Sequence, residues 1–88
     1  MTARKRVWWC AGFRFEKYRN GSYWEATNAQ PGVRVLLDQN AATYRTTAHF
    51  FLELDDGTEM EVSGCGKDRA SAFLDVLQAA RKLGRRLR

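Results

Sequence analysis

The chain has 88 residues, 44% of them hydrophobic and 12% aromatic, with a formal net charge of +5 at neutral pH. That is the length of one domain with apolar material for one small core, so residues 1–88 read as a single unit. One proline and seven glycines exclude a linker or low-complexity chain, no run reaches the roughly twenty apolar residues of a membrane span, and two cysteines are too few for a disulfide framework.

The positive charge gathers at the two ends. Arg4, Lys5 and Arg6 stand together near the start, and Arg81, Lys82, Arg85, Arg86 and Arg88 close the chain without an acid among them. Such ends are the electrostatic footprint of an anionic partner such as nucleic acid; as plain solubilising tails, residues 1–5 and 84–88 would be candidates for disorder. The apolar run after the first bases, VWWCAGF, is too short for a secretory leader, and Arg14 interrupts it. Reduced thiols and a cytoplasmic location are therefore expected.

In chain order, residues 5 to 28 read as one hairpin. Asn20-Gly21 signals a two-residue type I′ loop. That loop opposes Tyr18 to Tyr23, Lys17 to Trp24, Phe15 to Ala26 and Phe13 to Asn28. Alternation through an unbroken first strand puts Trp9, Ala11, Phe13, Phe15, Trp24 and Ala26 on the core face. It puts Trp8, Cys10, Arg14, Glu16, Tyr18, Tyr23 and Glu25 on the other face. Glu16 opposite Glu25 is a local conflict for Arg14 or Lys17 to relieve.

Gln30-Pro31-Gly32 marks a turn, and Val33, Val35 and Leu37 alternate with Arg34 and Leu36 in a short strand. Residues 38–43 form a polar connection with room for a turn of helix. From Tyr44 to Leu54 the chain alternates again, with Thr46, Ala48, Phe50, Leu52 and Leu54 on one face and Thr47, His49, Phe51 and Glu53 on the other. Parity selects the next turn. A two-residue Asp56-Gly57 loop would oppose Leu52 to Glu61, whereas a three-residue Asp55-Asp56-Gly57 loop opposes Leu54 to Thr58, Leu52 to Met60 and Phe50 to Val62. Only the second keeps one face apolar, with Gly57 in the left-handed region of a G1 bulge.

Ser63-Gly64-Cys65-Gly66 reads as a breaker, and Lys67 to Leu83 as an amphipathic helix. Ala70, Phe73, Leu74, Leu77 and Ala80 recur at steps of three and four, with Asp68 as N-cap and Gly84 as the left-handed residue that ends the helix. The expected fold is α+β: a twisted antiparallel sheet of about five strands, made of two hairpins and a short strand, packed on one C-terminal helix. Strand order is not readable from the pattern.

Catalytic patterns fail on inspection, and an enzyme is not expected. Gly66-Lys67 lacks the upstream glycine of a phosphate loop, and Asp68 stands where that loop needs Ser or Thr; single-phosphate binding at Gly64, Gly66 and the helix start is the weaker form of that reading. Cys10, Cys65 and His49 have no metal-ligand spacing, so no metal or cofactor is expected. Asp55, Asp56, Glu59 and Glu61 cluster at a hairpin tip, which reads as a solvated face.

The aromatics carry the functional reading. On this register Trp8, Tyr18, Tyr23 and Phe51 lie away from the helix, beside Arg4, Arg6, Arg14 and His49. Rings among arginines on an open sheet stack bases and neutralise phosphates. The expected function is a nucleic-acid-binding accessory domain, with Arg4, Lys5, Arg6, Arg14, Arg85, Arg86 and Arg88 on phosphates and Trp8, Tyr18, Tyr23 and Phe51 as stacking or interface residues. The alternative is a protein–protein interaction or inhibitor module using the same face as a hot spot, for example a small phage or mobile-element protein docking on a host protein, or a homodimer. A curled sheet burying part of both faces is the bland third reading.

The run from His49 to Leu83 — strand, turn, strand, Ser63-Gly64-Cys65-Gly66-Lys67, then an Ala-rich helix — resembles the C-terminal half of a double-stranded-RNA-binding domain. It covers about two fifths of the chain. That family opens its helix with a lysine cluster, where this sequence has Lys67-Asp68-Arg69, and an aromatic hairpin replaces the family's N-terminal helix. The family's function is therefore not carried over.

Overall fold

In the computed structural model the described residues are 5–18, 23–40, 42–43 and 45–86, with the backbone alone for Tyr18, Arg85 and Arg86. Six strands form one antiparallel sheet in which each strand pairs with the next in sequence. They are β1 (Lys5–Cys10), β2 (Phe13–Tyr18), β3 (Tyr23–Ala26), β4 (Val33–Gln39), β5 (Thr46–Glu53) and β6 (Glu59–Gly66); helix α1 (Arg69–Arg86) follows. The fold is α+β, with α1 lying over β4, β5 and β6.

The sheet has one strand more than expected, because residues 5–18 are a hairpin in themselves. Ala11 and Gly12 turn the chain with φ of 50° and 83°, and Cys10 pairs with Phe13. Two successive positive φ values across a two-residue loop are the type I′ pattern. Asn28 ties this turn down: its Oδ1 accepts from Arg14 N at 2.8 Å and its Nδ2 donates to Gly12 O at 2.9 Å. The turn shifts the parity of β1. Trp8 opposes Phe15 and Cys10 opposes Phe13, so both face the helix, while Trp9 opposes Arg14 on the open side. Trp8 and Trp9 have exchanged the faces expected of them.

The β2–β3 register is the expected one, with Phe15 opposite Ala26 and Glu16 opposite Glu25; the loop at 19–22 lies outside the described residues. Gln30 to Val33 form a type II turn, with Pro31 second, Gly32 third at φ 84°, and Val33 N donating to Gln30 O at 3.1 Å. β4 then runs on to Gln39. Instead of a turn of helix, Asn40 organises the connection, its Oδ1 accepting from the N–H groups of Ala42 and Thr43. The three-residue loop into β6 is as read: Leu52 opposes Met60, Phe50 opposes Val62, and Gly57 has φ 85°.

β6 continues through Ser63-Gly64-Cys65-Gly66, which is therefore strand and not a breaker. Gly64 and Gly66 face the helix, where a Cβ on Gly66 would lie 2.7 Å from Ala72 N and one on Gly64 would lie 2.9 Å from Val76 Cγ2. Their lack of side chains lets α1 sit close on the sheet, and they stand in strand β6 rather than in a loop at the helix start. Asp68 is the N-cap, its Oδ1 accepting from Ser71 N at 2.8 Å. Gly84 does not end the helix, which runs on to Arg86. Lys5 and residues 84–86 are thus parts of regular elements, while 1–4 and 87–88 lie outside the described residues.

The core joins Phe15, Trp24, Val35, Leu37, Ala48 and Phe50 of the sheet to Ala72, Phe73, Val76, Leu77 and Ala80 of the helix. Phe73 is its hinge point, edge-on to Phe13 at 5.2 Å and to Phe15 at 4.9 Å. Leu74, expected in the apolar stripe, is 47% exposed, because the buried stripe is centred on Phe73 and Val76.

Candidate binding site

The sheet face turned away from α1 carries rows of opposed side chains. Beside Trp9, Val7 and Tyr23 it holds Leu36, His49 and Phe51. Its charges are the reverse of what phosphate binding needs. Glu16, Glu25, Asp38, Glu53, Glu59 and Glu61 share this face with the cations Lys5, Arg14 and Arg34. The cations are engaged: Lys5 Nζ lies 2.8 Å from Glu16 Oε1, Arg14 bonds the other oxygen of Glu16, and Arg34 reaches Glu59 at 3.8 Å while its guanidinium lies 4.7 Å over the Phe51 ring. These contacts hold the Glu16 carboxyl below the usual range, chiefly through the Lys5 hydrogen bond. Lys5 and Arg14 relieve the Glu16–Glu25 conflict, whereas Lys17 is on the other face.

The expected site residues therefore divide. Tyr23 is on the open face and 47% exposed; Phe51 is there too, half-buried beside His49, whose Nδ1 lies 2.6 Å from Glu61 Oε1. Trp8 is not on that face. It packs 5.3 Å from Phe15 and 6.3 Å from Trp24 on the helix side, and Trp9, 61% exposed, stands in the open position instead. Tyr18 lies in β2 opposite Lys5, but its side chain is outside the described residues, as are the side chains of Arg85 and Arg86 and the whole of Arg4 and Arg88. Lys5 and Arg14 are bound to Glu16. Cys10 and Cys65 are free thiols on opposite faces of the sheet, so they do not converge with His49 on a metal, and burial pushes the Cys10 thiol up.

Arg6 alone among the expected phosphate contacts leads to a concentrated basic site. The shift in β1 parity brings it to the helix side, directly opposite Lys17. Lys67 and Arg69 approach from the start of α1, and the four cations line a recess of about 400 Å³ with Trp24, Gln39 and Asp68. The Arg69 guanidinium lies over Trp24 at 4.4 Å and over Trp8 at 4.8 Å. The ion pairs among the described residues involve none of the four. The single acid in the recess, Asp68, is occupied in capping α1, and its hydrogen bonds from Ser71 hold its pKa below the usual range. Two cations directly opposed on adjacent strands repel each other, so this arrangement costs stability unless an anion joins them.

Lys17, Lys67 and Arg69 were missed in the sequence. Lys17 meets Arg6 only through the Ala11-Gly12 turn. Lys67 and Arg69 flank a helix cap, and that alone was the available signal. Among the described residues no three His, Cys, Asp or Glu side chains gather as a metal site, and no helix is long and apolar enough to cross a membrane. No family model, curated protein or solved structure matches this chain. The part of the chain where a double-stranded-RNA-binding domain has its first helix is here β1 and β2.

Proposed function

We propose that the chain is a nucleic-acid-binding domain whose phosphate contacts are made by Arg6, Lys17, Lys67 and Arg69. One observation carries this reading: four cations line one recess, none has a carboxylate partner among the described residues, and every described acid but Asp68 lies elsewhere. Arg69, held over two indole rings, has no carboxylate partner among the described residues, and a guanidinium can bond phosphate oxygens through its edge. The binding surface is thus the helix-side rim of β1 and β2, and the acidic open face would turn away from the backbone of the nucleic acid.

Fluorescence anisotropy with labelled single- and double-stranded DNA and RNA at two salt concentrations tests this. Binding should weaken steeply with salt. Replacing Arg6 and Lys17 together should lower affinity and flatten the salt slope by about 1 for each phosphate no longer neutralised. Asp68→Asn, which keeps a cap and removes the one acid, should tighten binding. No binding at low salt, or an unchanged slope in the Arg6/Lys17 variant, would overturn the reading.

A protein-docking module is the second reading, supported by Trp9 and Tyr23 exposed at 61% and 47% among carboxylates. Trp9→Ala would then abolish capture of the partner, and that capture would depend on salt far less steeply than phosphate binding does.

A further inference from the structure

We infer that two copies of this chain pair through β1, edge to edge and antiparallel, with the two-fold axis at Val7. The inference does not depend on nucleic-acid binding. It starts from the turn. Residues flanking a two-residue hairpin loop exchange both backbone hydrogen bonds, and the sense alternates along the strand. Cys10 and Phe13 flank this loop, so Cys10, Trp8 and Arg6 aim their N–H and C=O groups at β2. Lys5, Val7 and Trp9 aim theirs outward. β1 ends the sheet, so among the described residues nothing takes up those outward groups.

The charged residues of β1, Lys5 and Arg6, are confined to its first two positions, and two other usual protections of such an edge are absent. β1 contains no proline, and it pairs with β2 without a bulge from Lys5 to Cys10. Val7 and Trp9, two of the three residues that carry the outward groups, are 44% and 61% exposed. The other edge, β6, differs in composition: Glu59 and Glu61 put charge along it, and Gly64 and Gly66 carry no side chain on the face against α1.

A second copy is the occupant that the side chains fit. Directly opposed residues share a face. An antiparallel pair centred on Val7 sets Val7 against the second copy's Val7. It sets Lys5 against the second copy's Trp9 on the open face, and Arg6 against the second copy's Trp8 on the helix face. Every cation thereby meets an indole, and the dyad is a β-branched pair. All the outward backbone groups are used, in about six hydrogen bonds. Centring on Trp8 instead leaves Lys5 without an indole and sets Arg6 against Cys10. With the dyad at Val7 the two helices lie on the same side of one continuous sheet.

Sedimentation equilibrium of the full chain without nucleic acid, at micromolar concentrations, should give the dimer mass. Val7→Pro removes an outward N–H and leaves the bonds to β2 intact, so it should give a monomer with an unchanged circular dichroism spectrum. Should that variant unfold, Val7→Lys decides, because it sets two ammonium groups against each other on the dyad and should also give a monomer. With Cys10→Ala and Cys65→Ser in place, Val7→Cys should form a covalent dimer under mild oxidation, since opposed residues of such a pair have Cα atoms about 5.5 Å apart. Arg6→Cys in the same background should not. A monomeric wild-type chain, a dimer that Val7→Lys leaves intact, or equal cross-linking at both positions would each overturn the inference.

Discussion

Ala11 is the residue on which the N-terminal half turns. Its φ of 50° is the one positive value outside glycine among the described residues, and an L residue with a Cβ gives up about 1 kcal/mol to adopt it. Asparagine tolerates that region far better and is the favoured first residue of a type I′ loop. Ala11→Asn should therefore stabilise the chain by roughly 0.5–1 kcal/mol in denaturant unfolding; a loss of stability would mean that the strain is held by something other than the backbone. Asp68 acts at the same scale through its charge. Hydrogen bonds from Ser71 depress its pKa below the unfolded value of about 3.9. The stabilisation is therefore complete above that value and is lost as pH falls through the lower native one. Asp68→Ala should lower the melting temperature at neutral pH, and the gap from the wild type should close as the solution is acidified below the carboxylate range.

At the scale of elements, two glycines of similar appearance in the sequence have opposite work. Gly66 gives α1 its close approach to β6, and the backbone of Ala72 leaves no room for a methyl group there. Gly66→Ala should destabilise by about 1–3 kcal/mol, with the larger figure favoured because backbone atoms cannot rotate aside. Gly84 lies inside the last turns of α1, and a Cβ there would meet nothing within 4 Å, so Gly84→Ala should stabilise by up to about 1 kcal/mol. Measuring the two melting temperatures side by side checks both. The register of β5 and β6 was legible because only one loop length kept Leu52 and Phe50 opposite apolar partners. The N-cap was legible because Asp68 precedes an apolar period. The turn at Ala11-Gly12 was not, since alanine carries no preference for positive φ and the apolar run passes through it unbroken. That miss moved Trp8 to the wrong face and hid the opposition of Arg6 and Lys17. The basic recess could not be read without it, whereas Tyr23 and Phe51 on the open face needed only the downstream parity.

For the whole molecule, charge is sorted by place: carboxylates over the open face and the β5–β6 tip, unpaired cations at the start of α1, and Arg81 and Lys82 near its end. An approaching polyanion would be steered toward the helix side and repelled from the other. The sheet order has a different consequence, in time. Each strand pairs with its neighbour in sequence, so the sheet can grow one short loop at a time, at small closure entropy for each step, and the long loops are closed by the return of α1 onto the earlier strands, as far back as Phe13 and Phe15 of β2. A chain of this order should fold quickly for a protein so rich in strands. It should also open from one end. β1 is held by β2 alone, so its inward amides at Arg6, Trp8 and Cys10 should exchange with solvent deuterium sooner than those of β4 and β5. If β1 is also the seam between two copies, that exchange should slow as the protein is concentrated, and the rate at which the first strand breathes becomes a gauge of assembly.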